Sequence, residues 1–182
     1  GDSITSGGGN TIMGYAAGDA LTTGNSNVAV GLSALSGDTL GDRAVAIGQG
    51  ALNAQNFTSS TDNYNVGVGY NAGAAVTTGV NNTLIGGLAG DAITDGDANI
   101  CIGYLAGTHS TDLQTGTRNV ILGSYARTSA TNTDDANIIG YDISGAAGFT
   151  TLGSATSDIR AAHGNVTWAT VSDQRYKKDI VD

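Results

Sequence analysis

The chain has 182 residues and a formal net charge of −9, with 29 Gly, no Pro and 5% aromatic residues. A chain this acidic is not expected to bind nucleic acid or an anionic membrane, because phosphate groups attract basic surfaces. No stretch reaches the ~20 apolar residues of a membrane-spanning helix, so we expect no membrane insertion. Glu is absent and Lys is scarce, which predicts almost no helix. Hydrophobic residues make up 40% of the chain, too many for a disordered linker.

From residue 10 onwards a single pattern recurs along the chain. Eight segments share an apolar run that ends in Gly, and these anchoring glycines are 17, 17, 21, 17, 17, 20 and 17 residues apart. A unit this short cannot bury a core alone, so the repeat predicts coils stacked ~4.8 Å apart in a rod of roughly 40 Å. The segments are NTIMGYAAG (10–18), NVAVGLSAL (27–35), AVAIGQGAL (44–52), NVGVGYNAG (65–73), NTLIGGLAG (82–90), NICIGYLAG (99–107), NVILGSYAR (119–127) and ANIIGYDIS (136–144).

The three residues before each anchoring glycine predict a short strand. The residue directly before the glycine is always a large aliphatic, and the residue before that is small or apolar. Because side chains alternate across a strand, we expect both faces to be buried, one in the coil's own core and one against an identical chain. The first column is Met13, Val30, Ile47, Val68, Ile85, Ile102, Leu122 and Ile139; the second is Ile12, Ala29, Ala46, Gly67, Leu84, Cys101, Ile121 and Ile138.

Three other columns have a physical explanation. The anchoring glycine suits a backbone with positive φ or a close approach between chains. An Ala recurs three residues after it in seven units, which predicts a tight interior. An Asn opens six units, and its amide is expected to hydrogen-bond the backbone or the Asn of the next coil. Segments such as ALTTGNSN add a predicted second short strand and a turn to each unit.

Two units carry insertions of four and three residues, which hold Phe57 and His109. We expect both insertions to project as loops, either as tolerated insertions or as a contact surface for a ligand.

After residue 144 the repeat fades, and three regions follow from the sequence: a repeat shaft or head over 1–144, a neck over 145–171, and the start of another module over 172–182. The neck is predicted to hold one degenerate coil that ends at Gly153 and a strand with Trp168, which together close the open edge of the roll.

The repeat, written N-x-Φ-Φ-G-x-x-A, resembles the head repeats of trimeric autotransporter adhesins of the YadA type and, more closely, repeats of bacteriophage tail fibres. The resemblance covers residues 10–144. It implies a left-handed parallel β-roll with three chains to a fibre, in which repeat aliphatics form both the core and the trimer interface. The expected fold is therefore all-β: a parallel β-roll or β-solenoid of about eight 17-residue coils, assembled as an intertwined or side-by-side homotrimer.

The segment VTWATVSDQRYKKDI is similar to the junction before the C-terminal intramolecular chaperone of phage tailspikes and fibres, which reads S-D-x-R-x-K-x-x-I. In that family the chaperone trimerises the fibre and then cuts itself off. The resemblance implies that Ser172 is the nucleophile, Lys177 the base and Val171–Ser172 the scissile bond, with Asp173 and Arg175 in supporting roles. A lysine acts as a base only when burial lowers its pKa, so cleavage would wait for assembly.

No chaperone body follows within the chain, so we expect no enzymatic activity from it and an intact Val171–Ser172 bond. The alternative is a basic tail with no role in cutting.

Other candidate sites are weaker. His109 and His163 lack metal-ligand spacing and are expected at the surface. Cys101 lies in an apolar column, which favours a packed small hydrophobe over a reactive thiol. The Asp-rich turns TDGDAN and TNTDDAN favour turn formation over calcium binding, and we predict no metal and no cofactor. Four tyrosines follow anchoring glycines and either cover the shaft or stack on sugar rings: Tyr15, Tyr70, Tyr104 and Tyr141.

The sequence thus predicts a structural and host-attachment segment of a phage tail fibre, located in the virion. Its partners would be two identical chains and a glycan or protein receptor on the host surface. A bacterial trimeric surface adhesin, exposed on the outer surface, is the alternative. A polysaccharide depolymerase is a further alternative, because Asp is plentiful and glycoside cleavage needs two carboxylates.

Overall fold

The computed structural model describes residues 3–164 and 169–170 of the chain. In this part of the chain there is no helix, as predicted, and the strands are short. They are β1 (Thr11–Met13), β2 (Val28–Val30), β3 (Gly41–Asp42), β4 (Val45–Ile47), β5 (Thr61–Asp62), β6 (Val66–Val68), β7 (Thr83–Ile85), β8 (Ile100–Ile102), β9 (Val120–Leu122), β10 (Arg127–Thr128), β11 (Asn137–Tyr141), β12 (Ser144–Gly145), β13 (Phe149–Ser154), β14 (Ser157–Ala162) and β15 (Ala169–Thr170).

One long sheet contains a strand from every repeat. Strands β1, β2, β4, β6, β7, β8, β9 and β11 are successive parallel neighbours in it, so each is one rung of a solenoid. The register keeps the repeat columns aligned: Cys101 lies opposite Leu84 on one side and Ile121 on the other. A parallel β-solenoid of about eight coils with 17-residue spacing is therefore confirmed.

The core lies inside the coils and is built from small and medium-sized side chains. The middle residue of each rung points inward, and Leu84, Cys101 and Ile121 are completely buried. The alanine three residues after the anchoring glycine is also completely buried in all seven units that have it, which confirms the tight interior. The alanines are Ala17, Ala34, Ala51, Ala72, Ala89, Ala106 and Ala126.

The anchoring glycines are required for two reasons at once. Their φ angles lie near +130°, as at Gly86 (+130°) and Gly103 (+131°), a region that L side chains rarely adopt. A Cβ on Gly86 would also lie 2.6 Å from the carbonyl oxygen of Gly103 in the next coil. Both predicted explanations, positive φ and close approach, are therefore confirmed.

The asparagines that open the repeats form a ladder through the interior. Each side-chain oxygen accepts from the backbone N–H at the same position of the next coil, as in Asn99 N to Asn82 Oδ1 at 3.0 Å. Each side-chain amide donates to a backbone carbonyl, as in Asn82 Nδ2 to Gly96 O at 2.8 Å. We call this set the asparagine ladder: Asn10, Asn27, Asn65, Asn82, Asn99 and Asn119.

The third coil has Ala44 where the ladder requires Asn, and a residue of the first insertion replaces the missing acceptor. Asn63 Oδ1 accepts from Asn65 N at 2.9 Å, and Asn63 Nδ2 donates to Asp42 O at 2.7 Å. A second substitute comes from Gln55, whose side chain accepts from Asn65 Nδ2 at 2.9 Å. The ladder therefore continues through a coil whose own sequence would interrupt it.

Gln55 is one of two buried polar residues at positions that are apolar in other coils. Gln55 Nε2 donates to Asp38 Oδ2 at 2.6 Å, and Asp38 Oδ1 accepts from the backbone N–H groups of Gly41 and Phe57. Every oxygen of this buried carboxylate thus has a donor, which buried polar groups require.

In the interior, the large side chain of a coil can occupy either of two positions, four or seven residues after the anchoring glycine. Four residues after the anchoring glycine, four of the eight coils have Gly, and a large aliphatic such as Val76 or Ile93 lies three residues further on in coils without an insertion. Coils two and three have the reverse order, with Leu35 and Leu52 followed by the polar pair Asp38 and Gln55. A Cβ on Gly73 would lie only 2.8 Å from Leu52 Cδ2 and 2.6 Å from Leu84 Cδ1, so these two leucines leave room only for a glycine at position 73.

The first insertion was predicted to project as a loop, and it does so only in part. Phe57 is only 6% exposed, and its backbone N–H donates to Asp38 Oδ1 at 3.2 Å. The insertion also forms the short parallel pair β3–β5. Residues 58–60, Asp62 and Tyr64 of this segment are exposed. The prediction was wrong for Phe57, because burial of its aromatic ring removes a large apolar surface from water.

The predicted second strand of each unit is incomplete. Two-residue ladders form between β3 and β5 and between β10 and β12. In other described coils a single backbone bond joins equivalent residues, such as Thr77 N to Thr94 O at 2.8 Å.

The parallel order ends at β13. Gly153 lies opposite Gly140, so β13 adds one more rung, and β14 then pairs with β13 in the antiparallel direction. Strand β15 continues this antiparallel order. The predicted strand around Trp168 is described only at Ala169–Thr170, and Trp168 itself lies outside the described residues.

We predict that Gly86→Ala destabilises the fold by several kcal/mol, because a strained φ and a backbone clash act together. Gly148→Ala is the control: Gly148 has a φ of +72° with nothing within 4 Å of an added Cβ, so only about 1 kcal/mol is expected. Urea denaturation measures both. Equal losses in the two variants would contradict a requirement for close approach.

Candidate functional site

The outer face of the long sheet carries a continuous row of large aliphatic side chains. The residue directly before each anchoring glycine points away from the core, and Ile85, Ile102 and Ile139 keep 37%, 38% and 42% of their surface exposed. Single exposed aliphatics are ordinary, but a contiguous apolar patch marks an interaction surface. We call this row the aliphatic stripe: Met13, Val30, Ile47, Val68, Ile85, Ile102, Leu122 and Ile139.

The sheet register aligns the aliphatic stripe. Ile85 lies opposite Val68 on one side and Ile102 on the other, and Leu122 follows Ile102. Neighbouring parallel strands lie ~4.8 Å apart, so the side chains are in contact range along the rod. The stripe is therefore a continuous apolar row along one face of the sheet.

A group of aromatic rings lies on the last coils. The Tyr125 ring packs at right angles to those of Tyr104 and Tyr141, with centroids 5.5 Å and 5.7 Å apart and interplanar angles of 89° and 87°. The His109 ring from the second insertion packs on Tyr125 at 4.8 Å and 71°. These four residues are the tyrosine cluster. Such edge-to-face pairs are the arrangement that ring quadrupoles favour.

Two acidic residues lie close to the second insertion. Burial raises the pKa of Asp91, and the nearby Asp112 carboxylate raises it further, whereas a hydrogen bond with the Thr108 side chain opposes the rise. Thr108 directly precedes His109, and its hydroxyl donates to Leu88 O at 2.9 Å. The second insertion therefore places the Asp112 carboxyl group and the His109 imidazole close to Asp91 of the preceding coil.

Other acidic residues shape the turns. Asp97 Oδ1 accepts from Val80 N at 2.8 Å, and Asp134 Oδ1 accepts from Thr117 N at 2.7 Å, each 17 residues away in the neighbouring coil. Arg118 forms a bidentate pair with Asp135 at 2.7 and 2.9 Å, and this partner lowers the pKa of Asp135. The Asp-rich turns thus link adjacent coils through bonds from their carboxylates to the backbone.

The remaining candidates have structural surroundings. Cys101 is completely buried in the core, and burial raises the pKa of its thiol to about 12. His163 lies at the surface, where its ring nitrogen is 3.3 Å from both Asn137 Nδ2 and Thr150 Oγ1. Within residues 3–164, no three His, Cys or acidic side chains come together as a metal site would need.

Four residues are predicted to take part in cleavage of the Val171–Ser172 bond. Ser172, Asp173, Arg175 and Lys177 all lie outside the described residues, and their arrangement stays a prediction.

Sequence reasoning missed Tyr125 and Asp91. Tyr125 lies two residues after its anchoring glycine, whereas the four predicted tyrosines lie one residue after theirs. It therefore does not belong to the column of residues that directly follow the glycines. Asp91 belongs to a coil without an insertion and meets Thr108 only through the stacking of the next coil.

Within the described residues, no helix has the length and apolar character needed to cross a membrane. Comparison with protein-family models, with curated proteins and with solved structures gives no match for this chain.

We predict that Cys101 does not react with a thiol reagent such as 5,5′-dithiobis(2-nitrobenzoic acid) at pH 8 in the folded protein. Burial keeps the thiol protonated and out of contact with the reagent, and only the thiolate is a nucleophile. Unfolding in guanidinium chloride should release the full absorbance of one thiol per chain. Rapid labelling of the native protein would contradict the burial of the second strand column.

Proposed function

We propose that the chain is a structural segment of a homotrimeric fibre that serves in host attachment, of the kind found in bacteriophage tail fibres. The aliphatic stripe is the observation that carries this proposal. A chain with a net charge of −9 exposes an unbroken aliphatic row along a whole rod, and a matching row on an identical chain would cover it.

The geometry of the rod supports association side by side. Every coil contributes one stripe residue at the same angular position, so identical chains in parallel register would meet coil by coil. A closed, symmetric assembly buries the stripe on all copies and leaves none exposed. Threefold closure is taken from the resemblance of the repeat to phage fibre and adhesin repeats.

A bacterial surface adhesin would use the same stripe in the same way. The resemblance of the segment after residue 171 to a chaperone junction favours the phage fibre. Sustained apolar heptads beyond the roll in the full gene would instead favour the adhesin, because they predict a coiled-coil stalk.

We predict that Ile102→Asp abolishes assembly but leaves the single chain folded. Ile102 is 38% exposed in the single chain, so the new carboxylate can reach water there, whereas it would be buried unpaired between chains. Sedimentation velocity should show the parent at three times the 18.0 kDa chain mass and the variant at one chain mass.

Ser59→Asp is the matched control, because it adds the same charge at an exposed residue of the first insertion. It should assemble like the parent. A parent that sediments as a stable monomer, or an Ile102→Asp variant that assembles normally, would show that the stripe is not the contact between chains.

The junction after residue 171 gives a second test of the phage assignment. In a chain that carries a complete chaperone after residue 182, a fragment beginning at Ser172 should be released. Ser172→Ala and Lys177→Ala should assemble but stay uncut, because one removes the nucleophile and the other its base. N-terminal sequencing of the released fragment makes the measurement. A start at another residue, or normal release from Ser172→Ala, would contradict this chemistry.

A further inference from the structure

In the tyrosine cluster the rings are held in place by their contacts with one another, whereas their hydroxyl groups make no hydrogen bond to the described residues. Tyr104 and Tyr141 are 47% and 54% exposed, although each packs against Tyr125. None of the three phenol hydroxyls has a hydrogen-bond partner among the described residues. The Tyr104 ring also lies over Gly87 of the preceding coil, where a Cβ would be 3.6 Å from Tyr104 Cδ2. The cluster therefore presents fixed rings and free hydroxyls to solvent.

This arrangement suits a ligand with both apolar and hydroxyl surfaces. A pyranose ring has a C–H face that packs on an aromatic ring, and hydroxyls that exchange hydrogen bonds with phenols and carboxylates. Tyr loses little conformational freedom on binding, and rings already held by their neighbours lose less. The cluster is thus preorganised for a sugar.

The tyrosine cluster lies beside the aliphatic stripe, since Ile139 and Tyr141 are two residues apart on one strand, but it follows a different pattern along the rod. The stripe has a large aliphatic in all eight repeats, whereas the position after the anchoring glycine varies and includes Leu32, Gln49, Gly87 and Ser124. A contact that runs along the whole rod would need the same chemistry in every coil. The cluster instead occupies three neighbouring coils and includes His109 from an insertion. Insertions that interrupt a repeat commonly carry binding residues.

The charged groups near the tyrosine cluster favour neutral sugars over acidic ones. Asp112 lies in the second insertion and Asp91 lies close to it, and the chain as a whole has a net charge of −9. The Arg127 guanidinium, which donates to Tyr125 O, is paired with the Asp142 carboxylate. Carboxylates accept hydrogen bonds from sugar hydroxyls but repel uronic and sialic acids. A neutral glycan is the ligand class that fits both the rings and the charges.

We propose that the tyrosine cluster, together with the 108–112 loop, is a binding surface for neutral glycans. The proposal rests on the attachment function above and names the class of receptor that this part of the rod would bind. It makes Tyr104, Tyr125 and Tyr141 the contacting residues, with His109 holding the Tyr125 ring in place.

The test is a titration of the assembled protein with neutral hexasaccharides of glucose, mannose, galactose and N-acetylglucosamine, followed by saturation-transfer NMR and calorimetry. At least one should bind, and polygalacturonate should not bind at physiological ionic strength. Tyr104→Ala and Tyr141→Ala should each weaken binding tenfold or more, and Tyr104→Phe should weaken it less because the ring remains.

Tyr70→Ala is the matched control. Tyr70 is 53% exposed and also follows an anchoring glycine, but among the described residues its ring contacts no other aromatic ring. This variant should bind like the parent. Circular dichroism and the denaturation midpoint of every variant establish that the fold is intact, which both exposed positions should allow.

Three results would overturn the proposal: no neutral hexasaccharide binds the parent, Tyr70→Ala loses as much affinity as Tyr104→Ala, or the anionic polymer binds more tightly than every neutral sugar. Adsorption to a panel of bacterial cells separates this failure from failure of the proposed function. A Tyr104→Ala, Tyr141→Ala double variant that adsorbs like the parent leaves attachment standing and removes the glycan surface. A parent that adsorbs to no cells removes the attachment function itself.

Discussion

Backbone hydrogen bonds between successive coils set the spacing to which the rest of the molecule conforms. Parallel strands ~4.8 Å apart leave no room for a Cβ where two anchoring glycines meet, as between Gly86 and Gly103. The same spacing lets one asparagine amide make two bonds to the next coil, with Asn82 Oδ1 accepting from Asn99 N and Asn82 Nδ2 donating to Gly96 O. The alanine column is completely buried because coils this close leave only a thin interior. Each coil is therefore satisfied by its neighbours, as expected for a repeat that cannot fold alone.

The register of the strands aligns equivalent residues on the surface as well as in the core. Since the middle residue of each rung points inward, the residue after it must point outward. The aliphatic stripe consists of these outward-pointing residues in successive rungs. The stripe and the core are thus adjacent columns of one strand, formed by consecutive residues that point to opposite faces. The tyrosine cluster has a different origin, because it depends on a local departure from the repeat: an insertion that contributes His109, and a tyrosine at an unusual position, Tyr125. We thus assign the proposed assembly to the repeat, and the proposed recognition to the place where the repeat is interrupted.

Features that depend on one column were predictable, and features that depend on two columns were not. The anchoring glycines, the alanine column and the asparagine ladder each follow from one residue type at one position. The repair of the third coil does not, because Asn63 replaces an acceptor that Ala44 lacks from 19 residues away. The exchange of volume between Leu52 and Gly73 also requires knowing that adjacent coils share one cavity. The burial of Phe57 was missed because an insertion was equated with a loop, although its aromatic ring had a core within reach.

The direction of the hydrogen bonds in the rungs has a mechanical consequence. Bonds between parallel rungs run along the long axis of the solenoid, so tension applied to its ends passes through every rung in series. The strength of the rod under tension is then set by its weakest rung and not by the sum of all rungs. Compression instead presses the coils onto their close-packed glycine and asparagine columns, which have no space left to close. A rod of this construction resists pushing better than pulling.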